Sequence, residues 1–366
     1  MMPDMPFLTS KKKVVFVWLG VTSLFALAVA VTVWYMVHAS SRFVAQEQVL
    51  GEVTAPGVPE ALPDDTTSLT VLLLGYGGEG HQGGYLTDVI QVVRVDFEKK
   101  QTSLISLPRD LSVTLPNGTQ AKINAAFTLG EDPKQKVASG SEVAKRMVEQ
   151  VIGVPIDNVI AVDFVGFKRT VGGWLGGIEV NASETLDDPW YPIAGKELDT
   201  CGKTPEEVAD VSARLSGFEL ERQFECRYEH IYVPQGPHLM EGGDALAFVR
   251  SRHGSSAGDF SRSKRQHEVL TAIAKKIVTL KALESAPEYF SKAQKEVTTD
   301  FTLGDVEKLT PFIKTGFSFS QKSIVLSTEN VFVTAKNTAG QFILQPKAGS
   351  QNWSQVHGYV QSQLTE

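Results

Sequence analysis

The sequence predicts an α/β protein in which helices flank a mixed central β-sheet, in α/β/α layers, after one N-terminal transmembrane helix. Three observations support this fold: a long uncharged run at residues 14–37, short apolar runs typical of buried strands, and longer segments with the spacing of amphipathic helices. The 366 residues are 42% hydrophobic and 21% charged. This composition is too apolar for a disordered chain and too varied for a fibrous one.

The uncharged run at 14–37 is predicted to cross a membrane. At about 1.5 Å rise per residue it spans roughly 36 Å, more than a hydrocarbon core of about 30 Å. Lysines at 11–13 precede it, so the positive-inside rule places residues 1–13 in the cytoplasm and the chain after residue 38 outside. A cleaved signal peptide is the alternative, because Ala28-Val29-Ala30 resembles a cleavage site. The uncharged run is, however, longer than the apolar core of a usual signal peptide.

Strand patterns follow a polar, proline-interrupted segment at 38–68, which we expect to form a juxtamembrane stalk. Short apolar runs predict strands at 70–75, 88–97 and 101–107. The pair Asn117-Gly118 is the strongest hairpin signal in the chain.

Helical and strand patterns alternate in the rest of the chain. Helices are predicted at 139–152, 165–175 and 262–280, and a further strand at 159–164. Residues 182–230 are polar, and we expect irregular structure there. The main domain is therefore predicted at 69–284, with an extension at 285–366 that either joins the same domain or forms its own.

Charge and cysteine content exclude several classes of protein. The formal net charge of −7 argues against a nucleic-acid partner recognised through overall basicity. Two cysteines cannot build a structural zinc site by themselves. Because Cys201 and Cys226 lie in the part predicted to be exported, they are candidates for a disulfide, with two free buried thiols as the alternative.

Arginines are concentrated in one short window. Four of the twelve lie within sixteen residues: Arg250, Arg252, Arg262 and Arg265. Arg250 and Arg252 follow an apolar run, and on a strand both side chains would point to the same face. Guanidinium groups at that spacing suit the oxygens of a phosphate or diphosphate. A solvated ion-pair patch with acids such as Asp259 is the alternative.

A second group of polar residues surrounds the strand at 101–107. Arg109 leaves the carboxyl end of that strand, where α/β sheets usually open their ligand crevice, although a turn capped by Asp110 fits as well. Asp88 begins its strand after a glycine-rich loop and is a candidate ligand for a hard cation, or alternatively a turn residue. Lys122 and Asn124 are predicted to lie on one face of a short strand.

These blocks together resemble the LytR-CpsA-Psr family of bacterial cell-wall proteins. The motifs occur in the family's order: LTD (86–88), SLPRD (106–110), KINAAF (122–127), VDF (162–164), GGIEV (176–180), GPHLMEGGDALAFVRSRH (236–253) and GDFSRSKRQ (258–266). They cover about 200 residues, and their order is far more specific than any single motif.

The resemblance implies a membrane-anchored, extracytoplasmic enzyme of the bacterial cell membrane. Such enzymes move a glycopolymer from a polyprenyl-diphosphate carrier onto peptidoglycan, with Mg²⁺ or Mn²⁺ present. Arg109, Asp88 and Asp259 match family positions linked to catalysis, and Asp88 also matches the metal-linked aspartate. The residues that match the diphosphate-binding positions are Arg109, Lys122, Asn124, Arg250, Arg252, Arg262, Arg265 and Gln266.

Two positions depart from the family's pattern. Gly77 and Leu86 stand where many members carry an aspartate and an arginine. Both departures concern the metal site. Two other functions remain open: a polyprenyl-diphosphate hydrolase that uses water as the acceptor, and a non-catalytic wall-polymer-binding or regulatory module.

Overall fold

A computed structural model describes the chain at residues 68–81, 83–129, 136–251, 253–254, 259–279, 295–302, 305 and 319–365. For residues 136–139, 259, 260, 278 and 279 it describes the main chain only. The predicted cytoplasmic tail, transmembrane helix and nearly all of the stalk lie outside these ranges. Within them, no helix is both long and apolar enough to cross a membrane.

The described part of the chain contains fourteen strands, eight α-helices and three short turns of other helix types. The strands are β1 (Ser68–Tyr76), β2 (Thr87–Asp96), β3 (Gln101–Ser106), β4 (Ser112–Thr114), β5 (Gln120–Lys122), β6 (Asn158–Asp163), β7 (Ile178–Ala182), β8 (Leu186–Pro192), β9 (Tyr228–Val233), β10 (Gly236–Met240), β11 (Thr298–Thr299), β12 (Ser320–Val325), β13 (Phe332–Lys336) and β14 (Phe342–Pro346). The α-helices are α1 (Ala126–Leu129), α2 (Lys136–Ile152), α3 (Phe164–Lys168), α4 (Pro205–Arg214), α5 (Phe218–Glu221), α6 (Gly242–Arg250), α7 (Asp259–Thr279) and α8 (Ser354–Thr365). Short 3₁₀ turns lie at Ile123–Ala125 and Glu225–Arg227, and a π-helical turn at Arg169–Trp174 continues α3.

Six strands form one mixed sheet in the order β11-β6-β1-β2-β3-β12. The pairs β1–β6 and β3–β12 are parallel, whereas β2 runs antiparallel to β1 and β3. The mixed central sheet predicted from the sequence is therefore confirmed. Its last strand, β12, comes from the predicted extension at 285–366 and pairs with β3 from Ser320 to Val325.

The two faces of this sheet differ in chemistry. On one face Leu72, Val92 and Ile105 are opposite one another across the strands and are fully buried. Side chains of α2 and α8 belong to the same apolar cluster. The other face carries buried polar side chains, among them Gln91 and Ser106, and α7 packs there. Helices therefore cover both faces, as the sequence predicts.

The Asn117-Gly118 hairpin prediction is confirmed by the pairing of β4 with β5. Gly118 has a φ of 80°, a conformation that glycine adopts without steric cost. The amide of Thr119 donates to the Asn117 side chain at 2.9 Å, which closes the turn. Lys122 is the last residue of β5, so this hairpin brings it towards the end of β3.

Three sequence predictions are wrong. Lys122 and Asn124 do not share a strand face, because β5 ends at Lys122 and Asn124 lies in the 3₁₀ turn Ile123–Ala125. Residues 182–230 are not irregular, because β8 and β9 pair as an antiparallel ribbon and α4 begins with a complete capping box at Thr204 and Glu207. Arg250 does not lie on a strand but ends helix α6. Most of α6 is buried, so its sequence shows no polar face, and a short apolar run does not distinguish helix from strand.

Candidate functional site

The candidate site lies along one edge of the central sheet, which we call the carboxyl edge. The strands β1, β3, β6 and β12 all end there, and β2 begins there, because β2 is antiparallel to its neighbours. Register places Tyr76 at the end of β1 opposite both Thr87 and Asp163. Side chains that follow these strand ends are thus gathered along one line.

Arg109 and Asp88 form an ion pair at the carboxyl edge. The guanidinium of Arg109 also lies 3.7 Å from a carboxylate oxygen of Asp110. Lys122 Nζ donates to the other Asp110 oxygen at 2.5 Å. All four side chains keep between a fifth and two-fifths of their surface in solvent, so they are held by the fold and are still accessible to a ligand.

Main-chain hydrogen bonds bring Asn124 to the same place. Its amide donates to the Arg109 carbonyl at 3.3 Å, and its carbonyl accepts from the Thr87 hydroxyl at 3.4 Å. Asn124 is buried. The structure therefore brings together Asp88, Arg109, Lys122 and Asn124, which the sequence places as far as 36 residues apart (124 − 88).

The glycine-rich loop between β1 and β2 borders this edge. Gly78 has a φ of 88° and lies so close to Asp163 that an added Cβ would approach the Asp163 side chain at 3.0 Å. His81 contacts the Phe164 ring edge-on at 5.4 Å. Burial, together with the nearby Asp163 carboxylate, raises the pKa of Tyr76 to about 12.

Arg250 reaches the carboxyl edge from helix α6. Its guanidinium lies over the Phe164 ring at 4.1 Å and donates to the Tyr191 hydroxyl at 3.2 Å. Phe164 directly follows β6, which fixes Arg250 beside the end of that strand. Burial raises the pKa of Tyr191, and the positive charge of Arg250 opposes that rise.

Arg265 occupies a different environment. It is 1% exposed, and its guanidinium donates to the carbonyls of Phe248 at 2.8 Å and Ser251 at 2.5 Å. Burial lowers the pKa of Arg265. These bonds hold the carboxyl end of α6 against α7. In this structure Arg265 therefore stabilises the segment that carries Arg250.

The neighbours of Arg265 on helix α7 bind the polar face of the sheet. Gln266 accepts a hydrogen bond from Gln91 at 3.0 Å. His267 lies between the hydroxyls of Ser106 and Ser323, at 2.8 and 2.7 Å. Burial lowers the pKa of His267 to about 4, so the imidazole is neutral at pH 7.

The remaining predicted residues are Arg252, Asp259 and Arg262. Arg252 lies outside the described residues. Asp259 is the first residue of α7, and the structure describes its main chain but not its side chain. Arg262 lies on the first turn of α7 and is partly buried.

Cys201 and Cys226 form a disulfide, with their Cα atoms 5.6 Å apart. The bond closes the segment that contains α4 and α5 and ends two residues before β9. The disulfide thus links the two ends of the segment 201–226, which lies between β8 and β9 in the chain.

A cavity of about 710 Å³ lies elsewhere, between α7, β12 and the β7–β10 ribbon. It is lined mostly by polar side chains, including Lys264, Lys275 and Gln321. Neither Asp88 nor Arg109 contributes to it, so the size of this cavity gives no information on the carboxyl edge.

Asp88 is the candidate ligand for a hard cation at the carboxyl edge. Mg²⁺ is commonly held by one or two carboxylates together with the phosphates of its substrate. Asp88 offers one partly exposed carboxylate, and Arg109 engages one of its oxygens. Gly77 and Leu86 offer no ligand side chain, and Leu86 is exposed at the end of the loop. A metal here would therefore depend on Asp88 and on phosphate oxygens.

Sequence comparison assigns the chain to a family. The sequence model of the LytR_cpsA_psr family matches residues 35–356. The chain belongs to the LytR-CpsA-Psr family. This membership confirms the resemblance carried by the motifs from LTD to GDFSRSKRQ.

Two relatives that the chain resembles are teichoic acid transferases. The chain is 27% identical to the polyisoprenyl-teichoic acid–peptidoglycan teichoic acid transferase TagU of Enterococcus faecalis over 243 residues. This aligned region covers 66% of this chain and 64% of the relative. It is also 27% identical to the transferase TagV of Bacillus subtilis over 240 residues. That aligned region covers 64% of this chain and 50% of the relative. The chain thus matches less than two thirds of either relative's length.

A solved LytR-CpsA-Psr structure shows the same fold. It is the family protein YwtF (TagT) with a bound octaprenyl pyrophosphate lipid, at 22% sequence identity and a TM-score of 0.50. The match covers 84% of this chain and 95% of that one.

Some residues around the site were not identified from the sequence. Tyr191 and Asp188 lie in the polar segment predicted to be irregular, where no periodicity marks them. His267 was not assigned to the site, although it belongs to the same helix as Arg265 and Gln266. Because an α-helix has about 3.6 residues per turn, the three consecutive side chains from Arg265 to His267 point in different directions, and the helical pattern alone does not turn His267 towards the sheet.

Proposed function

We propose that this protein is a membrane-anchored, extracytoplasmic phosphotransferase that moves a glycopolymer from a polyprenyl-diphosphate carrier onto peptidoglycan. The observation that carries the proposal is the grouping of Arg109, Asp88 and Lys122 at the carboxyl edge. Arg250 approaches the same edge through Phe164. The names of TagU and TagV support the substrate class. The uncharged run at 14–37 supports a single-pass anchor with a cytoplasmic N-terminus and a cell-membrane location.

The chemistry requires charge stabilisation more than a covalent intermediate. An acceptor hydroxyl oxygen attacks the phosphorus that carries the glycopolymer, and the bond from that phosphorus to the bridging oxygen breaks. Polyprenyl phosphate leaves with the electron pair, and the hydroxyl proton passes to a base, for which we propose Asp259. Guanidinium groups positioned at the diphosphate stabilise the charge that develops on the leaving group.

This positive charge comes from three described residues, Arg109, Lys122 and Arg250. We propose that Arg252 and Arg262 add to it. Asp88 keeps Arg109 oriented through their ion pair. Asp88 is also the proposed ligand of Mg²⁺ or Mn²⁺, which would neutralise phosphate charge when bound.

The experiment is mass spectrometry of lipids that co-purify with the full chain in detergent. The parent protein should retain a polyprenyl phosphate or diphosphate, and Arg109→Ala and Arg252→Ala should lose it. Arg94→Ala is the matched control, because Arg94 lies on β2 about 20 Å along the strand from the carboxyl edge and bonds Thr70. Retention of the lipid by both site variants would refute the arginine clamp.

Product analysis separates transfer from hydrolysis. Incubation with a polyprenyl-diphosphate-linked sugar and peptidoglycan fragments should give a sugar phosphate joined to the fragment. Free sugar phosphate alone would identify a hydrolase. Lipid binding without turnover would favour the non-catalytic binding module.

A further inference from the structure

Strand β8 holds the segment at 250–254, which carries the proposed arginine clamp. We propose that Asp188 is the positioning residue of this segment. Asp188 is 1% exposed, and its Oδ2 accepts from the Ser251 hydroxyl at 2.5 Å and from the His253 amide at 3.4 Å. A single carboxylate oxygen therefore binds the residues on both sides of Arg252.

Other contacts from the same ribbon act on the same segment. The amide of Asp187 donates to the Gly254 carbonyl at 3.3 Å. Gly254 has a φ of 74°, and a Cβ there would overlap the Asp187 carbonyl. Tyr191, three residues after Asp188, binds Arg250 through its hydroxyl. The strand thus contacts both ends of the segment.

The far side of the segment is held as well. Arg265 donates to the Ser251 carbonyl from helix α7, and the Phe218 ring stacks on His253 at 4.7 Å. Asp188 completes this frame from the β8 side, and its Oδ1 accepts from the Trp190 amide at 2.9 Å. The carboxylate is therefore bound to three donors and is itself fixed in place.

A buried carboxylate is costly unless its hydrogen bonds are made, and bonds to an ionised acceptor are roughly twice as strong as neutral ones. Binding groups need positions defined to within about 0.5 Å, because a misplacement of about 1 Å can cost 10²-fold in rate. The Asp188 carboxylate meets that requirement at Ser251 and His253, the residues on either side of Arg252. The consequence for ligand binding rests on the proposed function.

The test compares Asp188→Asn with Asp187→Asn in the full chain. Both variants remove one negative charge from the same strand, but the Asp187 carboxylate is exposed and binds His230 instead. Two quantities are measured: hydrogen exchange of peptides that cover 250–254, and affinity for octaprenyl diphosphate relative to octaprenyl monophosphate. The ratio of affinities is used because a merely lower fraction of folded protein would leave it unchanged.

Asp188→Asn should accelerate exchange at 250–254 and lower the preference for the diphosphate, each about tenfold, whereas Asp187→Asn should change neither. Unchanged exchange would overturn the proposal, as would faster exchange with an unchanged ratio. If Asp188→Asn does not fold, Ser251→Ala, which removes only the hydroxyl partner, takes its place with the same expectations. Failure of the parent to bind octaprenyl diphosphate would refute the proposed function instead, and exchange would still decide whether Asp188 holds the segment.

Discussion

Arg109 and Arg265 both match arginines of the family's motifs, yet their surroundings are opposite. Arg109 follows a strand, is partly exposed, and pairs with the carboxylate of Asp88. Arg265 is fully buried in helix α7 and donates to main-chain carbonyls at the end of α6. The first arginine keeps a charged group available to a ligand, and the second builds the frame for Arg250. A motif match alone does not distinguish these two roles.

The largest expected effect is on stability and concerns Arg265. Arg265→Met removes the guanidinium that donates to the carbonyls of Phe248 and Ser251, and each buried acceptor left unsatisfied costs about 1–3 kcal/mol. The free energy of unfolding should therefore fall by about 3 kcal/mol, measured by urea unfolding of the full chain. Arg214→Met is the control, because Arg214 is exposed and pairs only within α4. A loss below about 1 kcal/mol would show that Arg265 does not support α6.

A smaller effect is expected from pH through His267, which joins α7 to the sheet. Burial lowers its pKa in the folded state to about 4, from the usual histidine value of about 6.5. The unfolded chain therefore binds the proton more tightly, and stability should fall as the pH drops below about 6.5. The loss should reach about 2 kcal/mol at pH 5 and be absent above neutral pH.

Urea unfolding at pH 7.5 and pH 5 measures this loss. His267→Gln keeps a polar side chain that does not titrate in this range, so its stability should depend less on pH than that of the parent. An equal pH dependence in both proteins would assign the effect to other groups.

The smallest expected change in stability belongs to Arg109→Ala. Partly exposed ion pairs contribute about 1 kcal/mol or less, so its free energy of unfolding should stay within that range of the parent. The same variant should lose the co-purified lipid completely. A stability loss as large as that of Arg265→Met would remove the contrast between the two arginines.

Much of the sheet was predictable, because its central strands have strong local patterns. The run at 70–75 became β1, and the two runs around Glu98 became β2 and β3. Helix α2 was recognised from its apolar spacing. These elements each bury an apolar surface, and the spacing of their apolar residues is visible in the local sequence.

The candidate site was predictable only in part. Asp88 and Arg109 meet because β2 begins and β3 ends at the same edge, and the β4–β5 hairpin brings Lys122 and Asn124 to them. The structural role of Arg265 was not predictable, because it depends on where the end of α6 lies relative to α7. That arrangement is set by contacts distant in sequence, and no local pattern specifies it.

Strand β12 has a consequence for how the protein is assembled. It pairs with β3 across more than two hundred residues of intervening chain, so β3 has no partner on that side until the chain has been synthesised past Val325. Until then β3 is an edge strand with unpaired amides and carbonyls, the kind of surface that recruits other chains into aggregates. Non-local pairing of this type also slows folding. The hydrogen bonding of β3 is therefore completed only once β12 has been synthesised.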